Sequence, residues 1–191
     1  AAIGVVTLPE GMEIDLGSVA KGYAGQLVAQ MLRGNGVESA LLNLGGNVQT
    51  VGAKPDGSPW QIGIKDPQGE DAMMVLSVED QAVVTSGGYE RYFEQDGQTY
   101  WHIMDPSTGH PADSGLISVT IVGDEGVVCD GLSTALFVMG LEKAADLWAQ
   151  SGDFEAVFVT ASGEVYITEG LRDRFALTEQ YADTPVSVIE R

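Results

Sequence analysis

Apolar side chains recur every fourth residue at Val19, Tyr23, Leu27 and Met31, with Ala20, Ala24, Val28 and Leu32 on the adjacent line of the same face. That spacing predicts an amphipathic helix, with Ser18 as its N-cap and Gly34-Asn35-Gly36 as its stop. Beyond Gly36 the period changes. Ala40 to Leu44 reads as a buried strand running into Gly45-Gly46-Asn47, and Trp60, Ile62 and Ile64 alternate as a half-exposed strand does. Tyr89 to Glu94 and Gln98 to Met104 flank Asp96-Gly97, a two-residue hairpin signal, and Leu116 to Val122 is another strand. From Asp130 the helical period returns through Leu132, Leu136 and Met139, ending near Gly140, with a short helix from Glu142 to Gln150. The run from Val157 to Thr168, turning at Ser162-Gly163, is a last hairpin. Helices set singly among hairpins predict an α+β fold with a mostly antiparallel sheet. No repeat or linker divides residues 1–191, so one domain is expected.

Charge narrows the partners. The 191 residues include 28 acidic and 9 basic ones, a net charge of −19. Nine scattered cations make no phosphate-backbone footprint, which excludes a nucleic-acid binder, and an anionic bilayer surface would repel the chain. A hydrophobic content of 44% supports a packed core rather than global disorder. The single cysteine, Cys129, excludes an intramolecular disulfide and any Cys-rich metal cluster. No apolar run is long enough to span a membrane, and the start lacks the order of a secretory signal. The abrupt opening at Ala1, with a strand-like Ile3-Gly4-Val5-Val6, reads as part of something longer.

Three segments could carry chemistry, although no P-loop or dinucleotide fingerprint is present. In Glu13-Ile14-Asp15-Leu16-Gly17-Ser18-Val19-Ala20-Lys21, a short strand would deliver Asp15 to a Gly17 turn, with Lys21 in the first turn of the next helix. Helix-start N–H groups plus one ammonium make an anion site, but a capped helix with a solvated lysine gives the same pattern. Around His102, the rigid Asp105-Pro106 and Gly109 turn could hold the imidazole beside a cleft as a base, while a packed histidine is the plainer reading. His102, Asp105 and His110 lack the spacing of a transition-metal site. In Asp130-Gly131-Leu132-Ser133-Thr134, a carboxylate and two hydroxyls share one helix face, a set of hard oxygens suited to Mg²⁺ or simply an N-cap at Asp130.

The ordered combination is more specific than its parts. Asp15-Leu16-Gly17-Ser18-Val19-Ala20-Lys21-Gly22-Tyr23-Ala24, Asn43-Leu44-Gly45-Gly46-Asn47, Thr85-Ser86-Gly87-Gly88-Tyr89-Glu90-Arg91, the His102 to Pro111 block, Ser118-Val119-Thr120-Ile121 and Asp130 to Ala135 together resemble the ApbE family. The resemblance runs from about Gly11 to about Phe158. It implies an FAD:protein FMN transferase that uses Mg²⁺ to cleave FAD, releases AMP and joins FMN by a phosphoester to a Thr or Ser of an acceptor flavoprotein. By the same resemblance Asp15 and Lys21 contact FAD, and Ile103 or Met104 lines the nucleotide site. The metal falls to Asp130, Thr134, the Ser18 carbonyl and, more weakly, Ser133, and His102 becomes the base. A non-catalytic FAD-binding module or an FAD pyrophosphatase is the alternative.

The resemblance also implies a lipid-anchored parent on the outer face of the bacterial cytoplasmic membrane, acting on a flavoprotein subunit of a membrane redox complex. Two departures stand out. Gly88 occupies a position where Asp or Asn is usual, so any contact from that side chain is lost. An N-terminal region that completes the family's pocket is missing before Ala1, and low activity is expected of the 191 residues alone.

Overall fold

The computed structural model describes residues 4–89, 92–95 and 97–191. After an irregular segment, helix α1 (Ala20–Gly34) leads into strands β1 (Ala40–Leu44), β2 (Asn47–Val51), β3 (Trp60–Lys65), β4 (Ala72–Val78) and β5 (Ala82–Gly87). Then come β6 (Tyr92–Gln95), β7 (Gln98–Trp101) and the two-residue strands β8 (Met104–Asp105) and β9 (His110–Pro111). Strand β10 (Leu116–Gly123) precedes helices α2 (Gly126–Met139) and α3 (Leu141–Ser151). The chain closes with β11 (Glu155–Thr160), β12 (Val165–Thr168), β13 (Phe175–Leu177) and β14 (Val186–Ile189). Among the described residues, seven strands form one sheet in the order β1-β2-β5-β10-β11-β12-β14, antiparallel except for the β12/β14 pair. The fold is α+β with a mostly antiparallel sheet.

Strand alternation divides the interior in two. Ala82, Val84, Val119, Ile121 and Phe158 point to the helix side, where they pack with Leu136, Phe137 and Trp148. Their neighbours Val83, Val122, Val157 and Val159 point the other way, onto Ile62, Ile64, Met74 and Leu76 of the small β13-β4-β3 sheet. Helices, large sheet and small sheet thus make three layers around two cores.

Several expectations need correction. The stripe Tyr23, Leu27, Met31 with Val28 is exposed, by 55%, 40%, 66% and 39%, and the buried face of α1 carries Gly22, Gly25 and Ala29. The cause is distance: with nothing larger than a methyl on that face, α1 lies close against α2, and a Cβ on Gly22 would come within 2.1 Å of the Gly126 carbonyl oxygen. Ser18 does not cap α1. Val19 is the N-cap residue, and the N–H groups of Val19 and Ala20 are taken by the Leu16 carbonyl at 3.0 and 2.9 Å while that of Gly22 goes to Asp130, so these three need no cap from Ser18. No strand delivers Asp15, because residues 4–19 pair with no strand among the described residues and expose Val5, Val6, Met12, Ile14 and Leu16. Ile3, Glu90, Arg91 and Asp96 lie outside the described residues.

Helix α2 begins one turn before the sequence pattern suggests, so Asp130 is an interior residue rather than its cap. Gly126, Val127 and Val128 are weak helix formers, and the Cys129 N–H closes that first turn on the Glu125 carbonyl at 2.9 Å. Strand β1 (Ala40–Leu44) forms where expected but is not buried: it is the edge of the large sheet, which leaves Leu41 and Leu44 39% and 37% exposed, and the sequence reading places no strand at β4, β5, β13 or β14. Helix α1 stops at Gly34 with Gly36 at φ +80°, strands β6 and β7 pair antiparallel, and Gly163 at φ +84° turns β11 into β12.

Candidate active site at the crossing of two helices

The site grows from the place where α1 and α2 cross. Both backbones approach through glycines, Gly22 and Gly126, and the pairing leaves the Gly22 N–H facing α2. Asp130 fills that position: its Oδ2 accepts the Gly22 N–H at 2.7 Å, and the residue is 4% exposed. Burial pushes its carboxyl above the ordinary carboxylate range, against the downward pull of the Gly22 N–H and the Lys21 ammonium. A single N–H and a neighbouring cation therefore hold a carboxylate that the packing has desolvated.

Hydroxyl groups continue the cluster along α2. Ser133, fully buried, donates to the Asp130 carbonyl at 2.8 Å and shares a 2.8 Å hydrogen bond with Ser86 Oγ on β5. Ser86 Oγ also lies 3.2 Å from Thr134 Oγ1, so one strand residue ties both helix hydroxyls into place. Asp130 and Thr134 are one turn apart on the same face. On the α1 side Ser18 and Lys21 are exposed at the helix entrance, while Asp15 accepts the Gly17 N–H at 2.5 Å in a local turn. Carboxylate, hydroxyl and carbonyl oxygens are hard donors, the chemistry that suits Mg²⁺. Among the described residues no group of three His, Cys, Asp or Glu side chains comes together as a metal cage. The neighbouring Cys129 thiol is buried, and burial followed by the Asp124 charge pushes it up to about 12, so it stays neutral and inert.

The His102 block lies on a different element. His102 is exposed just beyond β7, Ile103 is 4% exposed in the helix-side core, and Met104 is 47% exposed on β8. Asp105 is absorbed by its own turn: Ser107 Oγ and N–H donate to its Oδ1 at 2.7 and 2.8 Å, and these bonds hold its carboxyl below the ordinary range. Gly88 has a structural reason. A Cβ there would sit 3.0 to 3.3 Å from the Trp101 ring, whose Nε1 is anchored on the Ala112 carbonyl at 3.1 Å. Trp101 thus takes the space that a larger residue at 88 would need, beside a cavity of about 310 Å³ bordered by Tyr89, Tyr92 and Phe137.

The sequence and the fold have counterparts in known proteins. Residues 3–158 match the ApbE family. The chain belongs to the ApbE family. It is 44% identical over 168 residues to the FAD:protein FMN transferase of Klebsiella pneumoniae, covering 87% of this chain and 51% of that protein. The transferase of Treponema pallidum is 40% identical over 174 residues, with 86% and 48% covered. Among solved structures, the ApbE protein of Thermotoga maritima superposes with a TM-score of 0.80 at 39% identity, covering 86% of this chain and 54% of that one. The flavinyl transferase ApbE of Pseudomonas stutzeri gives 0.66 at 38% identity, with 87% and 49% covered. The chain spans about half the length of the relatives it matches.

Sequence reading singled out Asp130, Ser133 and Thr134 of this ApbE chain but assigned no role to Gly22 or Ser86. Each had a signal: a glycine inside a helical pattern marks a close backbone approach, and a polar residue two places after Val84 on one strand face marks a buried partner. Neither signal says what lies opposite, since Gly22 and Asp130 are 108 residues apart.

Proposed function

We propose that the protein to which this chain belongs is a Mg²⁺-dependent FAD:protein FMN transferase, and that these residues supply the metal and phosphate side of its site. The observation that carries this is the cluster of Asp130, Thr134 and Ser86 at a helix crossing entered by Lys21 and Ser18. Its oxygens suit a hard cation, and the names of the similar proteins give the reaction. In this reading Asp130, Thr134 and the Ser18 carbonyl hold Mg²⁺, and Asp15 and Lys21 contact FAD. Ser133 is a weaker ligand, since its hydroxyl is engaged by Ser86 and the Asp130 carbonyl.

When bound, Mg²⁺ neutralises charge on the pyrophosphate. Lys21 adds a second positive charge there. His102 takes the proton of an acceptor Thr or Ser hydroxyl, whose oxygen forms a bond to the FMN phosphorus. The bond between that phosphorus and the bridging oxygen breaks, and AMP leaves with the electron pair. Ile103 or Met104 lines the nucleotide. The acceptor is a flavoprotein subunit of a membrane redox complex, met on the outer face of the cytoplasmic membrane by a lipid-anchored protein. No described helix is long and apolar enough to cross a membrane.

Incubating the protein with FAD, Mg²⁺ and a peptide bearing a candidate acceptor threonine, then weighing the peptide by mass spectrometry, tests this. An FMN-sized gain that EDTA abolishes supports it. AMP release with no adduct would make the protein an FAD pyrophosphatase, and FAD binding with no AMP release would make it a binding module.

A further inference from the structure

Two buried amide atoms have no hydrogen-bond partner among the described residues: Asn47 Nδ2 and Gln49 Oε1, on residues 3% and 2% exposed. They lie on the same face of β2, the one turned to the helices. Val48 between them belongs to the opposite core, and Gln49 Cβ would lie 3.8 Å from a Cβ on Gly25 of α1. Such orphans are uncommon, because a buried donor without an acceptor has lost water for nothing.

The registers say what Asn47 lies beneath. Gln49 is level with Gly126, since its Oε1 would be 2.8 Å from a Cβ there, and it pairs with Ala82 of β5. Four residues further along β5, Ser86 touches Ser133 at 2.8 Å. Strand β5 and helix α2 therefore run in the same direction at this crossing. Two strand residues from Gln49 to Asn47 span about 7 Å, and four helix residues from Gly126 to Asp130 span about 6 Å. Asn47 is thus level with Asp130. Asp130 turns toward α1, the helix that covers β2, as its bond to Gly22 requires.

We propose that Asn47 is a positioning residue for Asp130: its unpartnered Nδ2 is the donor that the Asp130 carboxylate takes up when a divalent cation binds. The inference rests on the reading of Asp130 as a metal ligand and extends it to a residue of the Asn43-Leu44-Gly45-Gly46-Asn47 block to which that reading gives no role. Holding a ligating carboxylate by a second donor is the usual task of such outer groups, and losing one commonly weakens metal affinity tenfold or more.

Asn47→Leu, with Asn47→Ala as a second shape and Gln49→Leu as a control one register step away, separates this from a structural role. Thermal melting without metal and Mn²⁺ titration in the presence of FAD are the two readouts. With the orphan donor gone, the Asn47 variants should melt at or up to about 2–4 °C above the parent. They should bind Mn²⁺ about tenfold more weakly, and Gln49→Leu should bind it as the parent does. Mn²⁺ affinity within twofold of the parent in both Asn47 variants overturns the proposal. So does a lowered melting point in both together with an affinity loss that Gln49→Leu shares. AMP release by the longer protein to which this chain belongs distinguishes the two levels: activity with unaffected Asn47 variants sinks this inference alone, and no activity sinks the transferase reading while the Mn²⁺ titration still decides the role of Asn47.

Discussion

The backbone N–H of Gly22 donates to Asp130 Oδ2 at 2.7 Å, joining the first turn of one helix to the second turn of another across 108 residues. Gly22 serves two ends at once, since its missing side chain lets the helices touch and its N–H steadies the carboxylate. Gly22→Ala would place a Cβ 2.1 Å from the Gly126 oxygen and 2.6 Å from Asp130 Cβ. Pushing the helices apart should destabilise the protein by about 1–3 kcal/mol. It should also weaken FAD and metal binding. Chemical denaturation and FAD titration check the two effects together.

Asp130 illustrates a conflict between stability and function. Its carboxyl is held above the ordinary range by burial, so the folded state resists its ionisation at neutral pH. Asp130→Asn keeps an acceptor for Gly22 and removes the buried charge. The expected result is a melting temperature equal to or above the parent's at pH 7, with transfer abolished. The gain in stability should shrink as pH falls toward the ordinary carboxylate range, where Asp130 itself becomes neutral. Melting curves across pH, beside an activity assay, measure both.

Asp80 behaves in the opposite sense. It sits at φ +55°, accepts the Gly52 N–H at 2.9 Å and pairs with Arg33 at 2.6 Å. Partial burial raises its pKa, but the Gly52 N–H and Arg33 lower it further, and the net value lies below 3.8. Its contribution to stability is complete above 3.8 and fades as pH falls through the lower folded value. The pair is half-exposed, so Asp80→Asn, which suits the same backbone, should cost no more than about 1 kcal/mol at pH 7. That difference from the parent should vanish in acid, as unfolding titrations between pH 2 and pH 7 would show.

The two faces of α1 make a paired comparison. Leu27 and Met31 are 40% and 66% exposed, while Ala29 is fully buried. Leu27→Gln with Met31→Gln should change stability by no more than about 0.5 kcal/mol per site. Ala29→Leu should cost about 1–3 kcal/mol by overpacking a position with no exposed surface. Equilibrium unfolding of the variants tests the orientation of the helix directly.

How much of this was legible beforehand depended on whether the cause was local. Helix α3, the β11/β12 hairpin and the stop at Gly34 follow from period and turn chemistry, which neighbours in sequence determine. The face of α1 did not follow, because the apolar stripe and the glycine stripe compete and only the approach of α2 decides between them. The start of α2 was hidden for a related reason: Gly126 and two valines make a poor helix opening that tertiary packing overrides. Asp130, Ser133 and Thr134 could be named from their helical spacing. Their closure by Gly22 and Ser86 depends on a chain crossing that no local pattern encodes.

AMP release from FAD, measured side by side with flavin attachment to an acceptor peptide, in Mg²⁺ and in EDTA, tests the central claim most directly. The account predicts metal-dependent AMP release matched by one FMN on the acceptor for each AMP, and loss of both in Asp130→Ala. Transfer that persists in EDTA, or an Asp130→Ala protein as active as the parent, would contradict it.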